Sequence, residues 1–161
     1  LLHDVGKVGV GDAILCKNGR LTDEEFHMMR LHPQIGARIL KDVPFLERAI
    51  PCVACHHERW DGKGYPEGLA GEAIPEEGRL LAIADTFDAM TSDRVYRKGL
   101  PPEQAAAEIP KCAGTQFDPT MAEAFVEVHR QGKVDYILQN KALEDARHVL
   151  CPVCSDRKSV V

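Results

Sequence analysis

Six residues with metal-ligand chemistry are scattered over the first half of this chain: His3-Asp4, His32, His56-His57 and Asp85. Imidazole nitrogens and carboxylate oxygens together suit divalent metals of intermediate hardness, because no thiolate is required and a carboxylate can bridge two ions. A fold that uses all six has to bring separated segments to one place. The stretches between them read as helices and helix ends.

Thr22-Asp23-Glu24-Glu25 is a capping box, in which the Thr22 hydroxyl accepts from the Glu25 N–H while the Glu25 carboxylate reaches back to the cap. Phe26, Met29, Ile35, Ile39 and Leu40 follow at roughly helical spacing, with Pro33 expected to break or kink the run after His32 and Pro44 to end it. Residues 45–58 read as a further helix, interrupted or restarted at Pro51, with His56 and His57 near its end. Residues 59–75 form a glycine-rich loop around Trp60, the only tryptophan, which reads as core or loop support. Residues 79–90 carry a buried helical pattern with Asp85 and Asp88 embedded in it. Pro102 suits the first turn of the next helix, running to about Cys112 unless Pro110 shortens it. Asp118-Pro119 pairs an N-cap with a first-position proline and opens a helix to about Arg130. Alternating β-type runs are missing, so the fold class is all-α. With 161 residues one core is expected, over residues 1–132, followed by a helical extension over 133–161 that ends in Cys151-Pro152-Val153-Cys154.

Taken singly, the ligand-type residues have plainer readings. His3 can be an exposed histidine beside a capping aspartate, His32 a solvated residue ahead of Pro33, and Asp85 a buried carboxylate paired with an arginine such as Arg94. His56-His57 carries more weight. Adjacent histidines at a helix end address one metal only where the backbone leaves helical geometry, and the following Glu58-Arg59-Trp60-Asp61-Gly62 favours that departure.

Composition excludes some classes of function. A net charge of -5 argues against a binder of nucleic-acid polymers, which needs a basic surface to displace counterions, though a local basic pocket for a small phosphate ligand is compatible with it. No run of about 18 apolar residues marks a membrane span. Six cysteines beside an enzyme-like core fit a reducing compartment, so a cytoplasmic location is expected. Cys52-x-x-Cys55 and Cys151-x-x-Cys154 have the thiolate count of a structural zinc site. The first pair falls inside a helix and reads instead as small apolar core residues; the second reads as the start of a separate zinc-knuckle element or as a disordered tail.

In order, His3-Asp4, His32, His56-His57-Glu58, Asp61-Gly62-Lys63-Gly64-Tyr65-Pro66 and Asp85 resemble the HD-GYP family motif by motif, from Leu1 to about Val128. The resemblance implies an HD-domain helical bundle with a Gly-Tyr-Pro loop insertion, entered here without its first helices. It also implies a metal-dependent phosphodiesterase that hydrolyses cyclic di-GMP to linear pGpG or on to GMP, at a di- or trinuclear centre of iron or manganese. Asp4 would bridge two metals, His32, His56 and His57 would complete one site, and His3 and Asp85 would serve the other. In the family the second and third sites also draw on an upstream glutamate and histidine that this sequence does not contain.

The resemblance further implies that Lys7 contacts the scissile phosphate or the leaving oxygen. Lys7 follows Asp4 by three residues, on one face where the helix continues, and is otherwise a surface lysine. Gly64 and Pro66 shape the loop, and Tyr65 offers a guanine its ring and hydroxyl or else packs on the core. Arg94 and Arg97 match positions where the family contacts phosphate or guanine, although Val95 replaces the usual proline. An upstream receiver or sensor domain is the expected partner. Two other readings are an HD-type phosphohydrolase of another nucleotide, which would not need the Gly-Tyr-Pro loop, and a non-catalytic module that binds the dinucleotide or a protein.

Overall fold

Local capping signals become helix starts in the order the chain presents them. The computed structural model describes residues 2–17, 19–93 and 98–134, and within them no strand forms beyond a single bridge between Ala113 and Phe117. A 3-10 turn, Val5–Gly9, comes first, then α1 (Asp12–Leu15) and α2 (Asp23–Met29). The capping box closes α2 as expected: Glu25 N–H donates to the Thr22 hydroxyl at 3.3 Å and the Glu25 carboxylate accepts from Thr22 N–H at 2.7 Å.

The break in the next run corrects the expectation for Pro33. It falls before His32, at Arg30 and Leu31, and α3 (His32–Lys41) carries Pro33 in its first turn. A first-turn proline removes an N–H that has no helical partner, so here it starts a helix. Pro51 does the same in α4 (Ile50–Cys55), which follows a 3-10 segment, Pro44–Ala49. The long loop then leads to α5 (Glu76–Thr91) and α6 (Pro102–Glu108). After a 3-10 turn at Pro110–Cys112 comes α7 (Pro119–Arg130), where the Asp118 carboxylate accepts from Thr120 N–H at 2.8 Å and Met121 N–H at 3.3 Å.

Two packing regions meet along α5. On one side Ile83 and Phe87 join Ala105, Ala106, Ile109, Phe117 and Ala122 in the core between α5, α6 and α7. On the other, α3 packs on α4 and on the Val5–Gly9 turn, and α4 packs on α5. Glycine permits the closest approaches. A Cβ on Gly6 would lie 1.9 Å from the His32 carbonyl oxygen, and one on Gly78 would lie 2.7 Å from the Cys55 Cβ. These contacts bring the starts of the 3-10 turn and α3 together, and the end of α4 onto the first turn of α5.

Trp60 supports the loop, as expected. Its N–H donates to the Gln116 carbonyl at 3.2 Å and its carbonyl accepts from Gly71 N–H at 3.0 Å. Arg79, 2.5 Å from the Asp118 carboxylate, sets its guanidinium 5.9 Å from the Trp60 ring centre, so the loop, α5 and α7 share one polar fastening. Arg94, Val95 and Arg97, the 135–161 extension and its Cys151-x-x-Cys154 lie outside the described residues.

Candidate metal centre

One ligand atom from each of Asp4, His32, His56 and His57 lies within 4.8 Å of all the others. Each arrives from a helix boundary. Asp4 caps the Val5–Gly9 turn, His32 opens α3, and His56-His57 follow the last residue of α4, where the backbone leaves the helix as their adjacency requires. His3 sits alongside, with Nε2 3.4 Å from an Asp85 oxygen and 3.5 Å from Asp4 Oδ2. The six ligand-type residues thus form one continuous cluster, with Asp4 between the His32 side and the His3–Asp85 side.

The hydrogen bonds determine which nitrogen faces the cluster. His32 Nδ1 lies 2.8 Å from the Met29 carbonyl and His56 Nδ1 lies 2.9 Å from the Val53 carbonyl. A carbonyl only accepts, so each Nδ1 carries the proton and each Nε2 presents a lone pair inward. Those two Nε2 atoms face each other at 3.4 Å, both rings almost wholly buried. Opposed lone pairs at that distance repel unless a cation or a shared proton lies between them. Two imidazoles, a third from His57 and a carboxylate are a donor set that fits a divalent metal.

Burial pushes His56 down to about 4 and His57 down to about 3, helped for His57 by the neighbouring His56 and His32. His32 is lowered by the same burial. The rings are therefore neutral near pH 7 and need lose no proton before acting as ligands. Burial alone would raise the Asp4 carboxyl, but Lys7, His3 and His32 outweigh it and hold Asp4 below the usual carboxylate range. Asp85 is lowered by its contact with His3. Cys55, by contrast, is pushed up to about 11 by burial and by Glu58, and Cys52 is raised by burial too, so both remain thiols of the core.

A pH dependence follows for the metal-free domain. An unfolded imidazole takes up its proton near 6.5, whereas native His56 and His57 hold out to about 4 and about 3. The unfolded chain binds more protons in that window, so the histidines favour the native state fully above pH 6.5 and progressively less as pH falls through 4. The thermal midpoint of chelator-treated protein is expected to fall across this range, with a shallower slope for His56→Asn. Equal slopes for the variant and the wild type would contradict the burial of a neutral His56.

Above the cluster lies a cavity of about 240 Å³ whose walls include Arg30, His57, Lys63, Tyr65, Thr86 and Gln116. The Tyr65 ring stacks on His57, with centroids 4.7 Å apart and planes 23° from parallel. The ring thus packs downward on His57 and also lines the cavity. Burial pushes its hydroxyl up to about 12, so it stays a neutral donor. Gly64 lets the loop double back, because a Cβ there would lie 2.4 Å from the Arg59 backbone nitrogen. Asp61 builds the loop as well: its carboxylate takes a bidentate pair from Arg59 at 3.0 and 2.8 Å and accepts from Lys63 N–H at 3.1 Å. Lys7 Nζ donates to Asp4 at 2.7 Å, the contact that a 3-10 turn produces by stacking residues three apart.

Three features of the site escape a sequence reading. Arg30, exposed two residues before His32, sets its guanidinium 4.5 Å from the Phe26 ring centre and 5.2 Å from that of Tyr65. Only its fourth-residue spacing from Phe26 is a local signal. Gln116 reaches the cavity through the loop before α7, its amide 3.5 Å from the Thr86 hydroxyl. Glu58, a motif member without an assigned role, is buried beneath the loop.

The HD domain family profile matches residues 1–121. A cyclic di-GMP phosphodiesterase of Vibrio cholerae serotype O1 is 49% identical over 137 residues, covering 81% of this chain and 28% of the relative. The cyclic di-GMP phosphodiesterase response regulator RpfG of Xanthomonas campestris pv. campestris is 41% identical over 132 residues, covering 81% and 35% respectively. This chain therefore spans well under half the length of these relatives. The crystal structure of a cyclic GMP-AMP specific phosphodiesterase of V. cholerae matches with a TM-score of 0.65 at 21% identity, over 99% of this chain and 43% of that one, a likeness of fold.

Proposed function

This chain belongs to the HD domain family, and from that premise we propose that it is a metal-dependent phosphodiesterase acting on cyclic di-GMP, with linear pGpG or GMP as product. The observation that carries the reading is the convergence of Asp4, His32, His56 and His57 directly beneath the Tyr65 loop. The relatives named for cyclic di-GMP hydrolysis support the substrate. In this reading Asp4, His32, His56 and His57 would hold one divalent ion, iron or manganese, and His3 and Asp85, with Asp4 shared, would hold a second.

When bound, such paired cations supply an acidified water and neutralise charge building on phosphorus. The chain supplies the rest. Lys7 spends one of its three ammonium hydrogens on Asp4, leaving the others for a phosphoryl or leaving oxygen. Arg30 and Lys63, neither ion-paired among the described residues, line the cavity as anion-seeking arms. Tyr65 offers its phenolic hydrogen and the ring face not taken by His57, while Gly64 and Pro66 hold the loop's turn. Arg94 and Arg97 remain proposed phosphate or guanine contacts on their sequence position alone. A cavity of about 240 Å³ is small beside the roughly 300–1,000 Å³ of drug-sized sites, so one nucleotide half enters while the other lies along the rim.

A receiver or sensor domain in the same polypeptide is the proposed regulatory partner, on the response-regulator name of the Xanthomonas relative. No described helix is long and apolar enough to cross a membrane. The free thiols of Cys16, Cys52, Cys55 and Cys112 support a cytoplasmic location.

The decisive experiment is anaerobic turnover of cyclic di-GMP by the Fe(II)- or Mn(II)-loaded protein, run beside 3'3'-cyclic GMP-AMP. Preferential cleavage of cyclic di-GMP is expected. Preference for the mixed dinucleotide would reassign the substrate, and binding without cleavage by metal-loaded protein would favour a non-catalytic module.

A further inference from the structure

Glu58 is 3% exposed, and its carboxylate is committed to the backbone of the loop. One oxygen accepts from Glu67 N–H at 2.8 Å and Gly68 N–H at 3.2 Å, and the other from Leu69 N–H at 3.0 Å. Three successive amides converging on one buried carboxylate form an internal anion nest, in which each bond to a charged acceptor is stronger than a neutral one. These amides belong to a half-exposed arm, but all three turn inward onto the one buried carboxylate, so this conformation of 67–69 depends on the acceptor that residue 58 provides.

The same residue closes α4. Glu58 N–H donates to the Cys55 carbonyl at 3.0 Å, immediately after His56 and His57. On the near side the loop returns over this segment, where Tyr65 N–H donates to the His57 carbonyl at 3.2 Å and Gly64 has no room for a Cβ. One short segment, residues 56–58, therefore presents two ligand-type histidines on one side and grips both arms of the loop on the other. With three of roughly four acceptor positions occupied, Glu58 has little capacity left for proton transfer.

We propose that Glu58 is a positioning residue that anchors the 67–69 arm through its three amides and thereby holds Tyr65 on His57 at the cavity wall. The kinetic half of its test rests on the phosphodiesterase reading, whereas the structural half does not.

The test uses the full-length protein with Glu58→Gln and Glu58→Asp. Glutamine keeps the shape but turns an NH2 toward a backbone N–H, so at least one loop amide loses its acceptor. Aspartate keeps the charge but shortens the reach. Amide hydrogen exchange at residues 67–69 is expected to speed up by about tenfold or more in Glu58→Gln, with Glu58→Asp intermediate. The ring-current displacement of the Tyr65 ring protons by His57 should shrink in parallel. In metal-loaded enzyme, kcat/KM for cyclic di-GMP is expected to fall by roughly 30-fold, mostly through KM, while bis(p-nitrophenyl) phosphate hydrolysis and metal content stay within about twofold.

Unchanged exchange at 67–69 in a folded Glu58→Gln protein would overturn the anchoring. Equal loss of both substrates together with metal would also overturn the proposal, placing Glu58 in the metal centre. If wild-type protein cleaves neither diester while the exchange and ring-proton changes appear, the phosphodiesterase reading fails and the anchoring stands.

Discussion

Asp4→Asn in the metal-loaded protein is expected to lower kcat/KM for cyclic di-GMP by about 10³-fold or more, equivalent to roughly 4 kcal/mol of transition-state stabilisation at 1.36 kcal/mol per decade. The size of the effect follows from how many groups one carboxylate serves. Oδ1 faces His32 Nε2 at 3.4 Å, while Oδ2 faces Lys7 at 2.7 Å and His3 Nε2 at 3.5 Å. An asparagine keeps the shape but carries no charge, and its NH2 must confront either the Lys7 ammonium or the surroundings of His32. The native carboxylate is held ionised against its own burial, first of all by Lys7, so the substitution takes the ammonium's partner and the cluster's negative charge away at once. Kinetics with metal analysis on the same samples separates two routes to the loss. Falling metal content would mean that Asp4 acts chiefly as a ligand. Retained metal with lost turnover would mean that its charge and its hold on Lys7 serve the chemistry. A variant within tenfold of wild type would remove Asp4 from the catalytic set.

Gly6→Ala is expected to be the most damaging single-methyl substitution near the centre. The added carbon would lie 1.9 Å from the His32 carbonyl oxygen and 2.4 Å from the Gly36 amide nitrogen, both backbone atoms that no side-chain rotation can move. The Val5–Gly9 turn must then lift away from α3, taking Asp4 from His32 and Lys7 with it. Overpacking of this kind costs about 1–3 kcal/mol, and a backbone collision belongs at the upper end. At roughly 2–4 °C per kcal/mol for a domain of this size, the thermal midpoint should fall by about 6–12 °C. Metal retention should fall with it. Gly11→Ala is the matched control, because a Cβ at Gly11 meets nothing within 4 Å and its φ of -61° suits alanine. Equal melting of Gly6→Ala and Gly11→Ala would show that the turn yields without disturbing the centre.

The two substitutions probe different layers of one arrangement. Asp4 supplies charge at the point where the His32 side and the His3–Asp85 side of the cluster meet. Gly6 supplies only the absence of a side chain, yet it sets how closely that charge approaches its partners. Of the two, only Asp4 has a chemistry that can be recognised in a string of letters.

Signals that act over three or four residues were legible in the sequence. The Thr22–Glu25 box and the Asp118-Pro119 cap each mark a helix start, because the bonds that make them span a single turn. The all-helical class followed from the same local patterns, and the ligand chemistry of His3, Asp4, His32, His56, His57 and Asp85 is a property of residue type. Pro33 marks the boundary of such reasoning. Its ring forbids a helical hydrogen bond wherever it stands, but whether that ends a helix or begins one depended on the four-residue ladder lapsing at Leu31, whose N–H bonds to the Met28 carbonyl instead.

Tertiary structure decided the rest. The approach of four ligand atoms to within 4.8 Å, the stacking of Tyr65 on His57, the placement of Arg30 beside that ring and the gathering of three loop amides on Glu58 all join residues from separate elements. Residue identity specifies what each group can bond to. Which partner it meets depends on how closely the packed elements approach, and here glycines at 6, 64 and 78 permit that approach by what they lack.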